Sequence, residues 1–224
     1  MRTTRSSAAR RIAIAMCVCA YCTGGPIGAF SAAATPATET AEWTELEKAN
    51  GTVVYTRPFP GSAFPEVRAS GDVCATLPQL VAFVEDVAAF EQWIPDTAEA
   101  RLLERPTPRT QIYYIRTSMP WPVKDRDMIY RLSETAESMT TKISVRIEGL
   151  PDYRPVDPRA VRMSGVSGRW SFVQSDGRTR IDLDMHIEPG GGVPNWLARQ
   201  RIVGTPTKML TNLKRHFETG CPNP

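Results

Sequence analysis

The chain's 224 residues include only two histidines, so a general acid, general base or metal centre built on imidazole has two places to stand. His186 lies in "TRIDLDMHIEP", where Asp182, Asp184 and His186 alternate with Ile181, Leu183, Met185 and Ile187. A period of two places the first three on one strand face and the last four on the other. Two carboxylates and an imidazole are metal-ligand types, but the same alternation describes a strand with one wet and one dry side. We read the trio as the solvated side. His216, beside Lys214 and Arg215, lies near the end of a helical pattern, where a cation complements the carbonyls of the last turn. No nucleophile elbow, phosphate-cradling glycine loop or zinc-ligand spacing occurs. The expectation is no catalytic residue, no metal and no cofactor.

Charge and cysteine usage depend on the N-terminus. "MRTTRSSAARR" carries four arginines and no acid, and the uncharged run from Ile12 to Ala34 ends in "AAA". This is the three-part form of a secretory signal, with cleavage expected near Ala34. The run is also long enough to stay as a membrane anchor over 12–34. Without the four arginines, 27 Lys and Arg become 23 against 24 acidic residues, a net charge of −1. No basic tract then remains that would favour nucleic acid. Cys17, Cys19 and Cys22 leave with the signal. Cys74 and Cys221 remain, either paired in an oxidising compartment or left as a buried free thiol and an exposed one. The localisation expected is secreted or periplasmic.

The elements follow from periodicity and punctuation. After a disordered lead at 35–41, "EWTELEKANG" is predicted to be a short helix, Glu42 to Ala49, stopped by Asn50 and Gly51. "TVVYTRPF" and "PEVRASGDVCA" are strands. Thr76 caps a helix over 77–93, with Pro78 in its first turn and Leu80, Phe83, Val84 and Val87 along one face; Pro95 ends it. A run of antiparallel strands follows, from "ARLLER" to "TRIDLDMHIEP", with "SDGR" as an Asp-Gly hairpin turn. After the flexible joint "PGGG", a terminal helix begins at Pro194. Trp196, Val203, Leu210 and Phe217 recur every seven residues along it, and Leu197, Met209 and Leu213 widen the stripe. Gly204, Thr205 and Pro206 predict a break or kink. Within "MPWPVKDRDMIY", Pro120 and Pro122 remove two ladder donors, which suits a corner between strands. There Lys124, Asp125, Arg126 and Asp127 are expected to pair with each other or with neighbouring strands, away from any ligand.

"FEQWIPD", "MPWPVKDRDMIY", the "SDG" hairpin, "PGGGVPNWL" and "TPTKMLTNLKRHF", in that order, resemble the START lipid-binding family over about residues 42–218, leaving 219–224 as a tail. The resemblance implies an α+β helix-grip fold: a curved antiparallel sheet around a long C-terminal helix, with a ligand cavity between them. It implies a single lipid or other hydrophobic ligand held there, carried or presented by a monomer in transient contact with membranes. Removing a lipid chain from water is worth about 0.8 kcal/mol per CH₂. In the family's arrangement Tyr113, Ile115, Met128, Tyr130 and Leu132 look into the cavity, joined by Met163, Met185, Trp196, Met209 and Leu213; Tyr113 and Tyr130 are the candidates for polar contact. The lid candidates are "LPDYRPVDP", Leu150 to Pro158, and the glycine joint. Ile115 and Met128 stand where phosphatidylcholine binders of the family place aromatics. Tyr113 and Leu132 stand where sterol binders carry an acid and an arginine, so the resemblance points to neither ligand. The alternative is a polyketide cyclase or aromatase-like enzyme using the same cavity, which would need a positioned acid or base.

Overall fold

The computed structural model describes residues 41–138 and 141–218. The expected signal, lead and tail lie outside these residues apart from Ala41, as does Cys221. Cys74 is disulfide-bonded.

The first element is a correction. The segment expected as a helix is strand β1, Thr44–Ala49, paired antiparallel with β2, Thr52–Arg57. Asn50 (φ 51°) and Gly51 (φ 69°) form a two-residue turn with both residues left-handed, the geometry that matches the twist of a hairpin. The Asn-Gly pair read as a helix stop is therefore a hairpin signal. Trp43 just before β1 lies under the guanidinium groups of Arg57 and Arg68, each 4.4 Å from its ring centre. Eight helical residues alone would be too few to be stable. Ladder hydrogen bonds and this stacking decide the segment instead.

β3, Glu66–Val73, leads to α1, Leu77–Glu85. The Gln79 side chain accepts from the Thr76 backbone N–H at 2.9 Å and hydroxyl at 2.8 Å, which fixes the helix start. The expected single helix over 77–93 is interrupted: Asp86 is extended, its carboxylate accepts from the Ala88 N–H at 3.0 Å, and one 3₁₀ turn precedes α2, Phe90–Trp93. A side chain that bonds the backbone locally competes with helix continuation.

The remaining strands are β4, Thr97–Thr107, β5, Thr110–Thr117, β6, Asp125–Ser138, β7, Lys142–Gly149, β8, Ala160–Arg162, β9, Gly165–Ser175, and β10, Arg178–Glu188. The sheet order is β1-β2-β3-β10-β9-β7-β6-β5-β4, with β8 parallel to β6. β7 meets β6 as far as the Tyr130–Gly149 pair, and β8 takes up Asp125 to Asp127 beyond it. Register shifts along β4 bend that edge. Ile181 and Leu183 of β10 are fully buried, as their alternation requires.

α3, Asn195–Phe217, lies across the concave face. Of the break or kink expected at Gly204, Thr205 and Pro206, no break occurs: the helix continues through all three. Pro206 forfeits one intrahelical hydrogen bond, but Ile202, Pro206, Met209, Leu210 and Leu213 are all buried on one side of the helix. Packing on the sheet outweighs the lost bond. Lys214 near its end donates to Asn50 O and Thr52 Oγ1, both at 3.0 Å, tying α3 to the first hairpin.

Candidate ligand cavity

Alternation along each strand sends one set of side chains toward α3. On β6 these are Met128, Tyr130 and Leu132, while the intervening Ile129 packs on the opposite face with Ile112 and Tyr114. Ile143, Val145 and Ile147 of β7, Trp170 and Phe172 of β9, and Met185 and Ile187 of β10 complete the sheet wall. α3 contributes Ala198, Ile202 and Met209; α1 and α2 add Val81, Val84, Phe90 and Trp93. Together they bound an apolar cavity of about 150 Å³, measured as the space open to the centre of a water-sized sphere. Thr117 and Gln111 of β5 both line it. They stand six positions apart on one strand, so the cavity runs about 20 Å along the sheet.

One end is built by the corner between β5 and β6. Met119 and Arg126 line it there, facing Pro189 and Val193 of the glycine joint. Arg126 is buried, and its guanidinium donates to Pro189 O (3.0 Å), Gly191 O (2.8 Å) and Lys124 O (2.5 Å). Gly190 (φ 76°) and Gly192 (φ 75°) allow the joint to fold back to it. Burial pushes the Arg126 pKa down from its usual value. The two acids of the corner pair with neighbouring strands, as expected. Asp125 accepts from Arg116, and the fully buried Asp127 takes a two-bond fork from Arg162, 2.9 and 3.0 Å. Arg126 departs from the expectation, because it reaches the cavity wall.

Six of the residues expected at the ligand line the cavity: Met128, Tyr130, Leu132, Met163, Met185 and Met209. Tyr113, Ile115 and Leu213 do not. They are fully buried in the packed core, Tyr113 against Phe90 with ring centres 5.1 Å apart. The Tyr113 hydroxyl has Glu85 O at 3.0 Å and Gln111 Oε1 at 2.6 Å, so it is spent on the wall. Burial pushes its pKa up to about 12, and raises that of Tyr130 further. Tyr130 is the freer phenol: among the described residues its hydroxyl has no hydrogen-bond partner. Trp196, in the first turn of α3, is 69% exposed and points away. The Leu150–Pro158 segment also lies elsewhere. Pro155, Asp157 and Pro158 flank Leu103, Tyr114 and Ile129 on the convex face, and Arg162 holds Pro151 O at 2.6 Å, so this segment is not at the cavity. Of the two lid candidates only the glycine joint borders it.

His186 is the remaining correction. It shares the outer face with Asp182 and Asp184 but is only 4% exposed. Phe59 stacks on it with ring centres 3.6 Å apart, and Pro65 O and Glu188 Oε1 lie 3.3 and 3.1 Å from its nitrogens. A loop covers what alternation alone made a wet position. His216 stacks on Phe83 at 3.8 Å.

The sequence reading passed over Trp93, Gln111, Arg126 and Glu134, all of which line the cavity. A signal existed for two of them. Gln111 precedes Tyr113 by two positions, and Glu134 follows Leu132 by two, so each shares a face with residues already selected.

A curved sheet closed on a long terminal helix, with an apolar hollow between, defines a helix-grip protein able to enclose a hydrophobic ligand. The START domain family model matches residues 32–222, and the chain belongs to the START domain family. A crystallised fragment of the STAR-related lipid transfer protein from Xanthomonas axonopodis is 36% identical, with a TM-score of 0.72, covering 79% of this chain and 98% of that one. An uncharacterised protein of Pseudomonas aeruginosa is 28% identical over 178 residues, 79% of this chain and 87% of its own. The ZhuI aromatase/cyclase of a Streptomyces species shares the fold at 16% identity and a TM-score of 0.50, over 68% of this chain and 93% of that one. Family and fold together support binding of a hydrophobic ligand.

Proposed function

We propose that this protein binds one lipid in the cavity between sheet and α3 and carries it to or from a membrane, as a monomer working outside the cytoplasm. The observation that carries this reading is the cavity itself: a wall of aliphatic, aromatic and methionine side chains in the middle of a folded core. An unfilled apolar hollow forfeits dispersion contacts, which a hydrocarbon chain would restore. Methionines at 128, 163, 185 and 209 suit a flexible guest.

Membrane contact draws on two indoles. Trp121 at the tip of the corner is 93% exposed, and Trp196 just after the glycine joint is 69% exposed. Arg126 ties that corner to that joint, so both indoles belong to the elements around one end of the cavity. Indole rings favour the boundary between water and hydrocarbon. Export draws on the basic, apolar and small-residue segments of 1–34, and N-terminal sequencing of protein recovered from the periplasm or medium checks it.

Native mass spectrometry of protein purified from a membrane-containing source tests the central reading. Co-purified lipid is expected. An empty protein that also fails to extract labelled lipid from vesicles would overturn it. A cyclase-like activity is the second reading, favoured by the unpartnered Tyr130 hydroxyl inside the cavity. It expects turnover of an aromatic polyketide that Tyr130→Phe abolishes.

A further inference from the structure

Buried polar atoms in native proteins nearly always have partners. Among the described residues, five buried side-chain atoms have none, and three of these belong to residues lining the cavity: Trp93 Nε1, Gln111 Nε2 and Glu134 Oε1. Gln111 is 3% exposed. The Tyr113 hydroxyl holds its amide oxygen at 2.6 Å, which turns the amide nitrogen the other way. Gln111 lies opposite Leu132 in the β5–β6 ladder, and Glu134 is two positions further along β6 on the same face. Diagonal neighbours of this kind stand about 7 Å apart. From such positions glutamine and glutamate side chains are long enough for one oxygen atom to meet both polar atoms at about 3 Å.

We propose that Gln111 and Glu134 form a hydroxyl-binding subsite, and that the ligand is a lipid alcohol with its hydroxyl between them and its hydrocarbon running along β5 toward Arg126. This rests on the lipid-binding reading above. A hydroxyl is the simplest group that donates and accepts at once, giving its hydrogen to Glu134 Oε1 and accepting from Gln111 Nε2. A carboxylate or phosphate would set a second negative charge against Glu134. An ester or ether oxygen has no hydrogen to give, an ammonium has no lone pair for Gln111, and a bare hydrocarbon satisfies neither residue. Arg109, opposite Glu134, also lines this end and is engaged in an interaction of its own.

The test compares hexadecanol with hexadecyl methyl ether on the delipidated full-length protein, reading affinities by titration in native mass spectrometry. The two probes share a chain and differ in the hydrogen that Glu134 would accept. In the wild-type protein the alcohol is expected to bind about tenfold tighter or more. In the Gln111→Leu, Glu134→Leu double variant the ratio should fall to near one while ether binding persists. Equal affinities in the wild type, or an unchanged ratio in the double variant, overturn the subsite and leave lipid binding standing. If neither probe binds the wild type, the lipid reading fails and takes the subsite with it. The wild-type ratio stands by itself should the double variant fail to fold.

Discussion

Tyr113 and Tyr130 begin as equivalent residues, facing each other across β5 and β6 with ring centres 5.8 Å apart. Their neighbours divide the work. Tyr113 is locked to Glu85 O and Gln111, while the Tyr130 hydroxyl is left to the cavity. The difference is measurable in alkali. The folded-state pKa of Tyr113, about 12, lies above its ordinary value of 10, so the folded protein keeps the proton more tightly. The resulting stability is fully present below pH 10 and is lost as pH rises from 10 through 12. Two units correspond to about 3 kcal/mol. Urea unfolding of the wild type should show a decline over that window, and Tyr113→Phe should show a shallower one. At Met128, which lines the cavity two positions from Arg126, substitution by Trp is expected to fill part of the space and reduce lipid uptake from vesicles. Uptake equal to the wild type would remove that residue from the site.

At the scale of elements, the corner from Met119 to Asp127 is the part most dependent on its surroundings. The fully buried Asp127 accepts the Arg162 fork, which braces β6 against β8. Asp127→Ala would leave a buried guanidinium without its carboxylate and should cost about 3–5 kcal/mol in chemical denaturation. Arg126 acts on the joint before α3. Arg126→Met removes three hydrogen bonds to carbonyls, a loss of about 2–4 kcal/mol. It should raise hydrogen exchange at residues 190–197 and speed ligand release; unchanged exchange there would show that the joint is held by something else. β1 and α3 illustrate how local preference yields. "TELEKA" reads as helix by residue type and becomes an edge strand because an Asn-Gly turn offers it a partner. Pro206 stays inside a helix because the sheet buries both sides of the break it would have made.

For the whole molecule, the prediction concerns the two indoles. Replacing Trp121 and Trp196 together by Ala should slow lipid transfer between vesicles severalfold while leaving detergent-delivered loading unchanged. Slowing of both would place the fault in the cavity, and slowing of neither would end the proposed role of the indoles. The order of elements was legible from sequence because strand alternation and helical stripes are local patterns that burial imposes directly: Ile181, Leu183 and Met185 point inward as their spacing demands. Part of the site was legible for the same reason, since Met128, Tyr130 and Leu132 had to share a face. Alternation names the inward face but cannot say whether an inward residue meets a neighbour or a void. Ile115 and Leu213 meet neighbours, Met128 and Met209 meet the hollow, and Gln111 and Glu134 gain their importance only from the unpartnered atoms they place there. The covering of His186 by Phe59, the position of the 150–158 segment on the convex face and the tie from Arg126 to the glycine joint likewise depend on residues far apart in the chain. Periodicity along one strand therefore determined which side faces in, and the curvature of the sheet against α3 decided how much of that side is left empty.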